Sequence, residues 1–519
     1  MVSFDPETLL GEATLADRDH ETMSVEAPFT GEEFATLPLG DERDVAHAFE
    51  RAREAQSDWE ARDPAERAEL LLEYHDLLFD HSEPLLDLVV EESGKARRHG
   101  FEELIDTAMA SRHYAHRVES YLDDESRKSP MPGLVDVEVN YRAKGVVGVI
   151  SPWNYPLTLA VSDAVAALLA GNTVVLKPAE QTAYTALAAV ALLREAGVPE
   201  DVMQVVPGTG PDVGEPLVEE SDYLCFTGSS KTGSFVASKA GEQLIDCSLE
   251  LGGKNPFIVL DDADVDEAAR GATTACFANA GQLCLSAERI LVHESVYEPF
   301  LEAFVDETRR LTLGTAYDYE AEIGSLIDAA QLDRVRSRVE AARESGATVH
   351  TGGRHRPDVG PYCYEPTILT DVDPDSQVAC EETFGPVVSV QPVESTDAAV
   401  VAANDSPYGL NASVWTGDRS RGQRVARRVD CGTVCVNDGF AVGWGAVDAP
   451  MGGVGDSGLG RRQGEEGIKR YLEARTVATS RVGPLVPPKR IPMGWVVEGV
   501  STARQTGRRL TKAVRSLRR

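Results

Sequence analysis

Apolar and polar positions repeat with two different periods along the chain, and the period predicts the element. Between residues 41 and 125, apolar residues recur every three or four positions between charged faces, which predicts amphipathic helices. The expected helices span 44–62, 64–81 and 100–123, with Asp41 and Asp63 as N-caps. Strict alternation over 135–141 predicts a strand.

Short apolar runs and helical segments alternate through the middle of the chain. Strands are predicted at 145–150, 173–176, 202–206 and 223–226, with helices between and after them at 182–196, 212–220 and 232–241. This β–α–β order predicts a parallel sheet with right-handed crossovers, typical of a dinucleotide-binding domain.

A second α/β run begins after residue 250, so the predicted fold class is α/β throughout. Its strands are expected at 256–260, 289–292, 387–390 and 432–436, and its helices at 264–279, 297–312 and 329–345.

The longest apolar region, 156–171, is interrupted by Ser162 and Asp163. It predicts a buried helix, and no integral membrane segment is expected. The first residues are acidic and lack an apolar core, so no signal peptide is expected either.

Composition narrows the function classes. A chain of 519 residues is too long for a single core and predicts two or three domains. The net charge is -35, with ten Lys against forty Arg. An acidic, Lys-poor surface suits concentrated salt, which favours an extreme halophile over an ordinary acidic protein. No nucleic-acid partner is expected, because the body of the chain has no basic face.

The eight cysteines form no C-x-x-C pair, which predicts free thiols and a cytoplasmic setting. The only close histidine pair, His113 and His116, lies on a charged helix without a third ligand. No metal site is therefore predicted, and a Cys–His hydrolase is disfavoured because none of the ten histidines falls in the segments around Cys284.

Two glycine-containing segments carry candidate chemistry. Residues 250–254 read Glu-Leu-Gly-Gly-Lys, and 34 positions after Glu250 comes Cys284, within Phe-Ala-Asn-Ala-Gly-Gln-Leu-Cys at 277–284. The two segments pair a candidate general base with a candidate thiolate nucleophile, where backbone can approach a ligand closely.

Three further segments occur in a matching order and spacing. They are Ser-Pro-Trp-Asn-Tyr-Pro at 151–156, Gly-Asn-Thr-Val-Val-Leu-Lys-Pro-Ala-Glu at 171–180 and Glu-Glu-Thr-Phe-Gly-Pro at 381–386. Together the five segments resemble the NAD(P)-dependent aldehyde dehydrogenase superfamily, from about residue 25 to about residue 480.

The resemblance implies three catalytic residues. Cys284 would attack the aldehyde and form a covalent thiohemiacetal. Asn154, with the backbone N–H of Cys284, would stabilise the oxyanion, although an Asx-turn would also explain it. Glu250 would activate the water that cleaves the resulting thioester, and an apolar setting would raise its pKa toward neutrality.

The chain lacks a G-x-G-x-x-G segment at the first βα turn, and the family instead uses residues 226–229. In that family Thr227 lies near the nicotinamide, Ser229 near the pyrophosphate, and Glu382 and Phe384 at the nicotinamide ribose and ring. Glu180 would accept from the adenosine ribose hydroxyls and repel a 2′-phosphate, which favours NAD, while NADP stays open because Lys177 could pair with that phosphate. The implied cofactor contacts are Trp153, Lys177, Glu180, Thr227, Gly228, Ser229, Gly233, Glu382 and Phe384.

The resemblance also implies a domain plan with a Rossmann-type cofactor domain (1–123 and 144–250) and an α/β catalytic domain (251–466). A small β bridging element would use 124–143 and 467–480, and such enzymes are usually homodimers or homotetramers. Residues 481–519 form a basic tail with a partial apolar stripe, which suits a frayed terminus and an amphipathic contact equally. If the tail is ordered, screening by salt favours an acidic patch on a neighbouring subunit over an anionic membrane surface.

Within the family, 145–170 and 277–289 look most like the succinate-semialdehyde dehydrogenase branch. Ser162 and Ala278, however, stand where members of that branch have Arg residues for the substrate carboxylate. Two rival functions stay open: a CoA-acylating dehydrogenase, which usually lacks a base at the position of Glu250, and a non-catalytic binding protein, which would lose the nucleophile.

Overall fold

A computed structural model describes residues 3–16, 18–483, 492–502 and 504 of the chain. The strands are β1 (Glu21–Ala27), β2 (Glu32–Leu39), β3 (Glu125–Ser126), β4 (Val135–Ala143), β5 (Val146–Ile150), β6 (Thr173–Lys177), β7 (Met203–Val205), β8 (Tyr223–Thr227), β9 (Asp246–Glu250), β10 (Asn255–Val259), β11 (Ala287–His293), β12 (Thr348–Thr351), β13 (Thr367–Thr370), β14 (Val387–Val393), β15 (Tyr408–Gly409), β16 (Asn411–Trp415), β17 (Thr433–Val436), β18 (Val454–Gly455), β19 (Gly458–Leu459) and β20 (Leu472–Ser480).

The α-helices alternate with these strands through most of the chain. They are α1 (Pro6–Leu9), α2 (Glu42–Glu60), α3 (Pro64–Asp80), α4 (Ser82–Ser93), α5 (Arg97–Leu122), α6 (Thr158–Leu169), α7 (Ala183–Glu195), α8 (Glu215–Glu220), α9 (Ser230–Gln243), α10 (Val265–Phe277), α11 (Tyr297–Arg310), α12 (Ala329–Glu344), α13 (Gln377–Cys380), α14 (Thr396–Asn404), α15 (Arg419–Ala426), α16 (Ala441–Trp444) and α17 (Gly464–Lys469).

Two larger sheets confirm the predicted α/β class. The first has six strands in the order β19-β9-β8-β5-β6-β7, and all of its pairings are parallel except that of β19 with β9. The second has seven strands in the order β12-β13-β14-β11-β10-β16-β17, parallel except for β12. Both sheets lie within one compact unit, which takes the residues up to Leu122 together with Arg142–Glu473.

The smaller compact unit takes Asp123–Tyr141 together with the described residues from Ala474 onward. A three-stranded sheet in the order β20-β4-β3 belongs largely to it. Residues 493–502 are helical, with Met493, Trp495, Val497 and Val500 exposed. The later apolar positions of the predicted stripe, Leu510, Val514 and Leu517, fall outside the described residues.

Several local predictions are confirmed. The Asp41 carboxylate accepts from Arg43 N at 2.9 Å and the Asp63 carboxylate from Ala65 N at 2.9 Å, as N-caps do. The apolar region around 156–171 is helix α6, and all of its residues are buried. Among the described residues, no helix is long and apolar enough to cross a membrane.

Other elements differ from the sequence-based expectation. The hairpin of β1 and β2, helix α4 and strands β9 and β16 have no predicted counterpart. The helix expected at 212–220 is divided into a π-helical turn, Gly210–Gly214, and the short helix α8, because Pro216 cannot donate a backbone hydrogen bond. The glycine-rich segment near 455–460, which has no predicted element, adds strand β19 to the edge of the six-stranded sheet.

A left-handed turn leads from α10 toward Cys284. Asn279 and Ala280 have φ of 51° and 54°, and Gly281 has φ of 70°. A Cβ atom on Gly281 would lie 2.2 Å from the carbonyl oxygen of Gly385, so this backbone contact admits only glycine.

We predict that Gly281→Ala destabilises the protein more than Gly346→Ala. Gly346 is also left-handed (φ 104°), but open space surrounds its Cα. Gly346→Ala should therefore lower the free energy of unfolding by only about 1–2 kcal/mol, the strain of a non-glycine residue in a left-handed backbone conformation. Gly281→Ala should cost about 1–3 kcal/mol more, because backbone must move. Thermal unfolding midpoints of both variants in the same salt check this, and equal midpoints would contradict it.

Candidate active site

The order of the six-stranded sheet reverses at β5, and this reversal positions the site. Strands β6 and β7 continue on one side of β5, while β8 and β9 continue on the other. In open parallel sheets, ligands bind outside the carboxyl ends of the strands at such a reversal. The loop after β5 carries Trp153 and Asn154, the turn after β8 carries Gly228 and Ser229, and β9 ends at Glu250.

A cavity of about 210 Å³ opens at this edge. It contains nine of the twelve predicted site residues. Its lining consists of Pro152, Trp153, Asn154, Leu159, Thr227, Gly228, Ser229, Glu250, Leu251, Gly252, Cys284, Gln331, Arg334, Glu382 and Phe384. The three predicted residues that do not line it are Lys177, Glu180 and Gly233. Gln331 and Arg334, both on α12, were not predicted, and neither carries a signal in the sequence.

Cys284 comes to this cavity from the seven-stranded sheet, three residues before β11 begins. Its carbonyl oxygen accepts from Asn255 Nδ2 at 2.7 Å, which ties the loop to the start of β10. Burial, together with the nearby Glu382 and Glu250 carboxylates, raises the pKa of the Cys284 thiol to about 12. The thiol is therefore protonated at neutral pH, and its attack on a carbonyl requires a proton acceptor.

Glu250 has the properties of a general base that could activate a water molecule. Its residue is 7% exposed, and burial raises the pKa of its carboxyl to about 7, against the opposing effect of Arg462 and Arg470. No described residue donates a hydrogen bond to its Oε1 atom. A buried carboxylate with an unpaired oxygen and a pKa near neutrality suits a general base.

Asn154 is tied directly to the Cys284 loop. Its Nδ2 donates to the carbonyl oxygen of Gln282 at 3.0 Å, and this bond uses one of its two amide hydrogens. The backbone carbonyl of Asn154 accepts from Asn279 Nδ2 at 3.0 Å. The amide therefore lies beside the thiol, with one N–H left for a developing oxyanion.

A fully buried ion pair, Lys95 and Glu103, supports the Asn154 loop from behind. Lys95 Nζ donates to the carbonyl oxygen of Asn154 at 2.8 Å. Glu103 Oε2 accepts from Leu157 N at 2.9 Å and from Thr158 N at 3.3 Å. The sequence analysis missed this pair, because nothing in the local pattern of 95–103 distinguishes it from solvated charges.

A second buried pair, Lys254 with Glu288, supports the loop of Glu382 and Phe384. Glu288 accepts from the backbone N–H of Phe384 at 3.0 Å, and Phe384 adopts a left-handed φ of 56°. The Phe384 ring packs edge-on against the Trp153 ring, with 5.4 Å between the ring centroids. Burial, with Glu288 nearby, raises the pKa of Glu382 to about 7, and Glu382 Oε1 accepts from Gly253 N at 3.0 Å.

The residues around the cavity fit a nicotinamide dinucleotide. The Ser229 side chain caps α9 by accepting from Thr232 N at 3.3 Å, so the amino end of a 14-residue helix lies at the cavity and favours a phosphate. Glu382 offers a carboxylate to a ribose. A Cβ atom on Gly252 would lie 2.5 Å from Glu382 Oε2, so glycine keeps this space open.

The three predicted residues that do not line the cavity lie close to the same edge of the sheet or in helix α9. Lys177 ends β6, next to β5, and therefore lies at the same carboxyl edge of the sheet. Its Nζ contacts Glu180 Oε2 at 3.3 Å. Gly233 lies in the first turn of α9, where a Cβ atom would lie 2.4 Å from the Leu251 side chain, so it allows the helix to pack close to the strand end.

No group of three or more His, Cys, Asp or Glu side chains within the described ranges is arranged to hold a metal ion. All eight cysteines are free thiols.

Comparisons with known proteins show the family to which the chain is similar. The profile of the "Aldehyde dehydrogenase family" matches residues 15–477. A protein of Mycobacterium bovis named "Putative succinate-semialdehyde dehydrogenase [NADP(+)] 2" is 50% identical over 91% of each chain. A Mycolicibacterium smegmatis protein named "Putative succinate-semialdehyde dehydrogenase [NADP(+)]" is 49% identical over 90% of each chain.

Solved structures show the same likeness. Betaine aldehyde dehydrogenase from Staphylococcus aureus, in complex with NAD+, superposes with a TM-score of 0.84 at 31% identity, covering 92% of this chain and 97% of the other. An NADP-dependent enzyme of E. coli gives a TM-score of 0.85 at 34% identity, covering 89% and 95%. With a family match over most of its length and relatives at half identity, this chain belongs to the aldehyde dehydrogenase family of NAD(P)-dependent oxidoreductases.

Proposed function

We propose that this protein oxidises an aldehyde to the carboxylic acid with NAD(P)+ and water, through a thioester on Cys284. The observation that carries the proposal is the meeting of Cys284, Asn154 and Glu250 at one cavity, although they come from three separate parts of the chain. A thiol, an amide donor and a buried base are the groups that covalent aldehyde oxidation needs.

In the first half of the reaction, the Cys284 thiol loses its proton to solvent water and Sγ attacks the aldehyde carbon. The carbonyl oxygen becomes an oxyanion and accepts from Asn154 Nδ2 and the backbone N–H of Cys284. The bound nicotinamide supplies the acceptor for the hydride that leaves the thiohemiacetal. Trp153, Thr227, Gly228, Ser229, Glu382 and Phe384 would hold that cofactor, with Lys177 and Glu180 at its adenosine end.

In the second half, Glu250 accepts a proton from a water molecule that attacks the thioester carbon. The acid leaves, and the thiol of Cys284 is restored. A carboxylate in this position separates the proposal from the CoA-acylating alternative, which releases the acyl group to CoA and has no use for a buried base.

We further propose succinate semialdehyde as the substrate. The names of the mycobacterial relatives support it. The two positions at which that branch has Arg residues do not supply a cation. Ala278 belongs to an apolar cluster with Leu159, Phe440 and Met451, against which Cys284 packs. Ser162 is engaged by Arg462, whose Nη2 donates to its hydroxyl at 2.5 Å.

The remaining expectations from the sequence belong to the proposal as well. We infer a cytoplasmic, salt-adapted homodimer or homotetramer, divided into the cofactor, catalytic and bridging parts given above. The exposed residues of β20 support a contact surface in the bridging part. An acid-rich, Lys-poor chain is best assayed in concentrated salt.

A panel of aldehydes tests the proposal. We expect aldehyde-dependent formation of NAD(P)H, with a higher kcat/KM for succinate semialdehyde than for butanal, which lacks the carboxylate. Cys284→Ala should lower the rate at least about a thousandfold, because the covalent route is lost. The exposed thiol of Cys380 provides the matched control, and Cys380→Ala should keep full activity. A preference for butanal would reject the semialdehyde, and activity in Cys284→Ala would reject the nucleophile.

We predict that Glu250→Gln forms one burst of NAD(P)H and then stalls, because acylation needs the thiol and deacylation needs the base. In the wild type the carboxylate form is the active base, so the hydrolysis rate should rise with pH through the pKa of about 7. This rise, the acidic limb of the pH–rate profile, should be absent in Glu250→Gln. Asp246→Asn, at the exposed start of the same strand, should leave the NAD(P)H burst, the steady-state turnover and the acidic limb unchanged. If Glu250→Gln turned over at the wild-type rate, the general base would have to be another group.

We predict a preference for NAD over NADP that depends on Glu180. Its carboxylate pairs with Lys177, the cation that would otherwise be available to a 2′-phosphate. Glu180→Gln should therefore raise the NADP to NAD ratio of kcat/KM about tenfold, equivalent to roughly 1.4 kcal/mol. The exposed Glu69 on α3 gives the control, Glu69→Gln. A wild-type preference for NADP would agree with the names of the mycobacterial relatives. It would show that Glu180 does not face the ribose.

A further inference from the structure

A cluster of three buried charges lies behind Glu250, and the reaction described above makes no use of it. Asp163, on α6, accepts from Arg470 Nη2 at 2.6 Å and lies 3.3 Å from Arg462 Nη2. The three side chains are between 6% and 10% exposed. Arg462 and Arg470 lie on either side of α17, so two segments about 300 residues apart in sequence meet here.

The cluster lies on the same face of β9 as Glu250. Ser248 and Glu250 are two positions apart on this strand, so their side chains point to one side. Arg470 Nη1 donates to the hydroxyl of Ser248 at 3.0 Å. One guanidinium is therefore fixed beside the neighbour of the base.

The backbone of Arg462 also pairs with a segment that lies close to Glu250. It forms two backbone hydrogen bonds of 2.7 Å with Met451. A Cβ atom on the next residue, Gly452, would lie 3.3 Å from Glu250 Oε1. The segment that pairs with Arg462 thus passes close to the unpaired oxygen of the carboxylate.

The cluster carries a surplus positive charge. Burial acts to raise the pKa of Asp163, but Arg462 and Arg470 outweigh it and hold that pKa below the usual range. Burial lowers the pKa of both arginines, yet neighbouring groups, Asp163 among them, raise it overall. Two guanidinium ions therefore face one carboxylate in a region without solvent, and an isolated charge of this kind is costly unless it is compensated.

We propose that this cluster is the fixed counter-charge of Glu250, and that Arg462 is a positioning residue that stabilises the ionised carboxylate when thioester hydrolysis needs it. The inference rests on the proposed role of Glu250 as the base.

The electrostatics of the site agree. Burial is the main cause that raises the pKa of Glu250 to about 7, and Arg462 is the largest opposing influence, followed by Arg470. Removing Arg462 should therefore leave Glu250 protonated at neutral pH. Other ionisable groups that interact electrostatically with Glu250 or with Arg462 include Asp163, Arg461, Cys284, Asp106 and Tyr114.

The test is the pH dependence of the hydrolysis rate after the NAD(P)H burst. Arg462→Met should move the acidic limb upward by about one pH unit or more, the size of a lost neighbouring charge, and the rate should recover at high pH. Arg462→Lys keeps the charge and should stay close to the wild type. Asp163→Asn removes a negative neighbour and should move the limb downward, in the opposite direction.

Arg67→Met provides the control for loss of a buried guanidinium. Arg67 is 3% exposed and donates to backbone carbonyls, including those of Leu169 and Arg62, away from Glu250. This variant should lose thermal stability without moving the limb. If Arg462→Met does not fold, the contrast between Arg462→Lys and Asp163→Asn still decides the matter.

Three failures are distinguishable. If the wild type forms no NAD(P)H with any aldehyde, the proposed function is wrong. If Glu250→Gln does not stall, the base is wrong. If Glu250→Gln stalls but Arg462→Met lowers the rate equally at every pH, or shifts the limb in the same direction as Asp163→Asn, only the counter-charge is wrong and Arg462 serves packing alone.

Discussion

The burial of charge is the constraint on which the site depends. Taking an ion out of water costs several kcal/mol, so a buried ion persists only where a partner and further hydrogen bonds compensate it. Lys95 with Glu103 holds the Asn154 loop, and Lys254 with Glu288 holds the loop of Phe384. Each pair satisfies backbone groups of a loop that would otherwise be free to move. Loss of one partner from such a pair costs about 3–5 kcal/mol, which makes the loops rigid parts of the fold.

The same exclusion of water couples the chemical groups to one another. Burial raises the pKa of Glu250 and of Glu382 to about 7, and that of Cys284 to about 12. The two carboxylates each oppose formation of the thiolate. A protein that buries a base and a nucleophile together therefore needs a source of positive charge nearby, and Arg462 and Arg470 are placed to provide it.

The chain path explains why these groups meet. Only residues 251–254 separate the end of β9 in the six-stranded sheet from the start of β10 in the seven-stranded sheet. The carboxyl edge of the first sheet, which carries Asn154 and Glu250, thereby comes close to the segment that leads into β11, which carries Cys284. Glycine leaves room in this link, because a Cβ atom on Gly253 would lie 2.6 Å from Asn255 Oδ1 and 3.0 Å from the carbonyl oxygen of Cys284.

The sequence alone determined the alternation of strands and helices, since buried parallel strands appear as short apolar runs such as 146–150 whatever surrounds them. It also pointed to Cys284, Glu250 and Asn154 through local segments, because a glycine-containing turn around a reactive group leaves a mark over a few consecutive residues. The short strands β9 and β16 escaped prediction, since their sequences, Asp-Cys-Ser-Leu-Glu and Asn-Ala-Ser-Val-Trp, contain polar residues and are not continuous apolar runs. The tertiary structure alone decided which charges are buried: Lys95, Glu103, Asp163 and Arg462 look like ordinary charged residues in the sequence, because burial and partner choice depend on contacts between segments up to 300 residues apart.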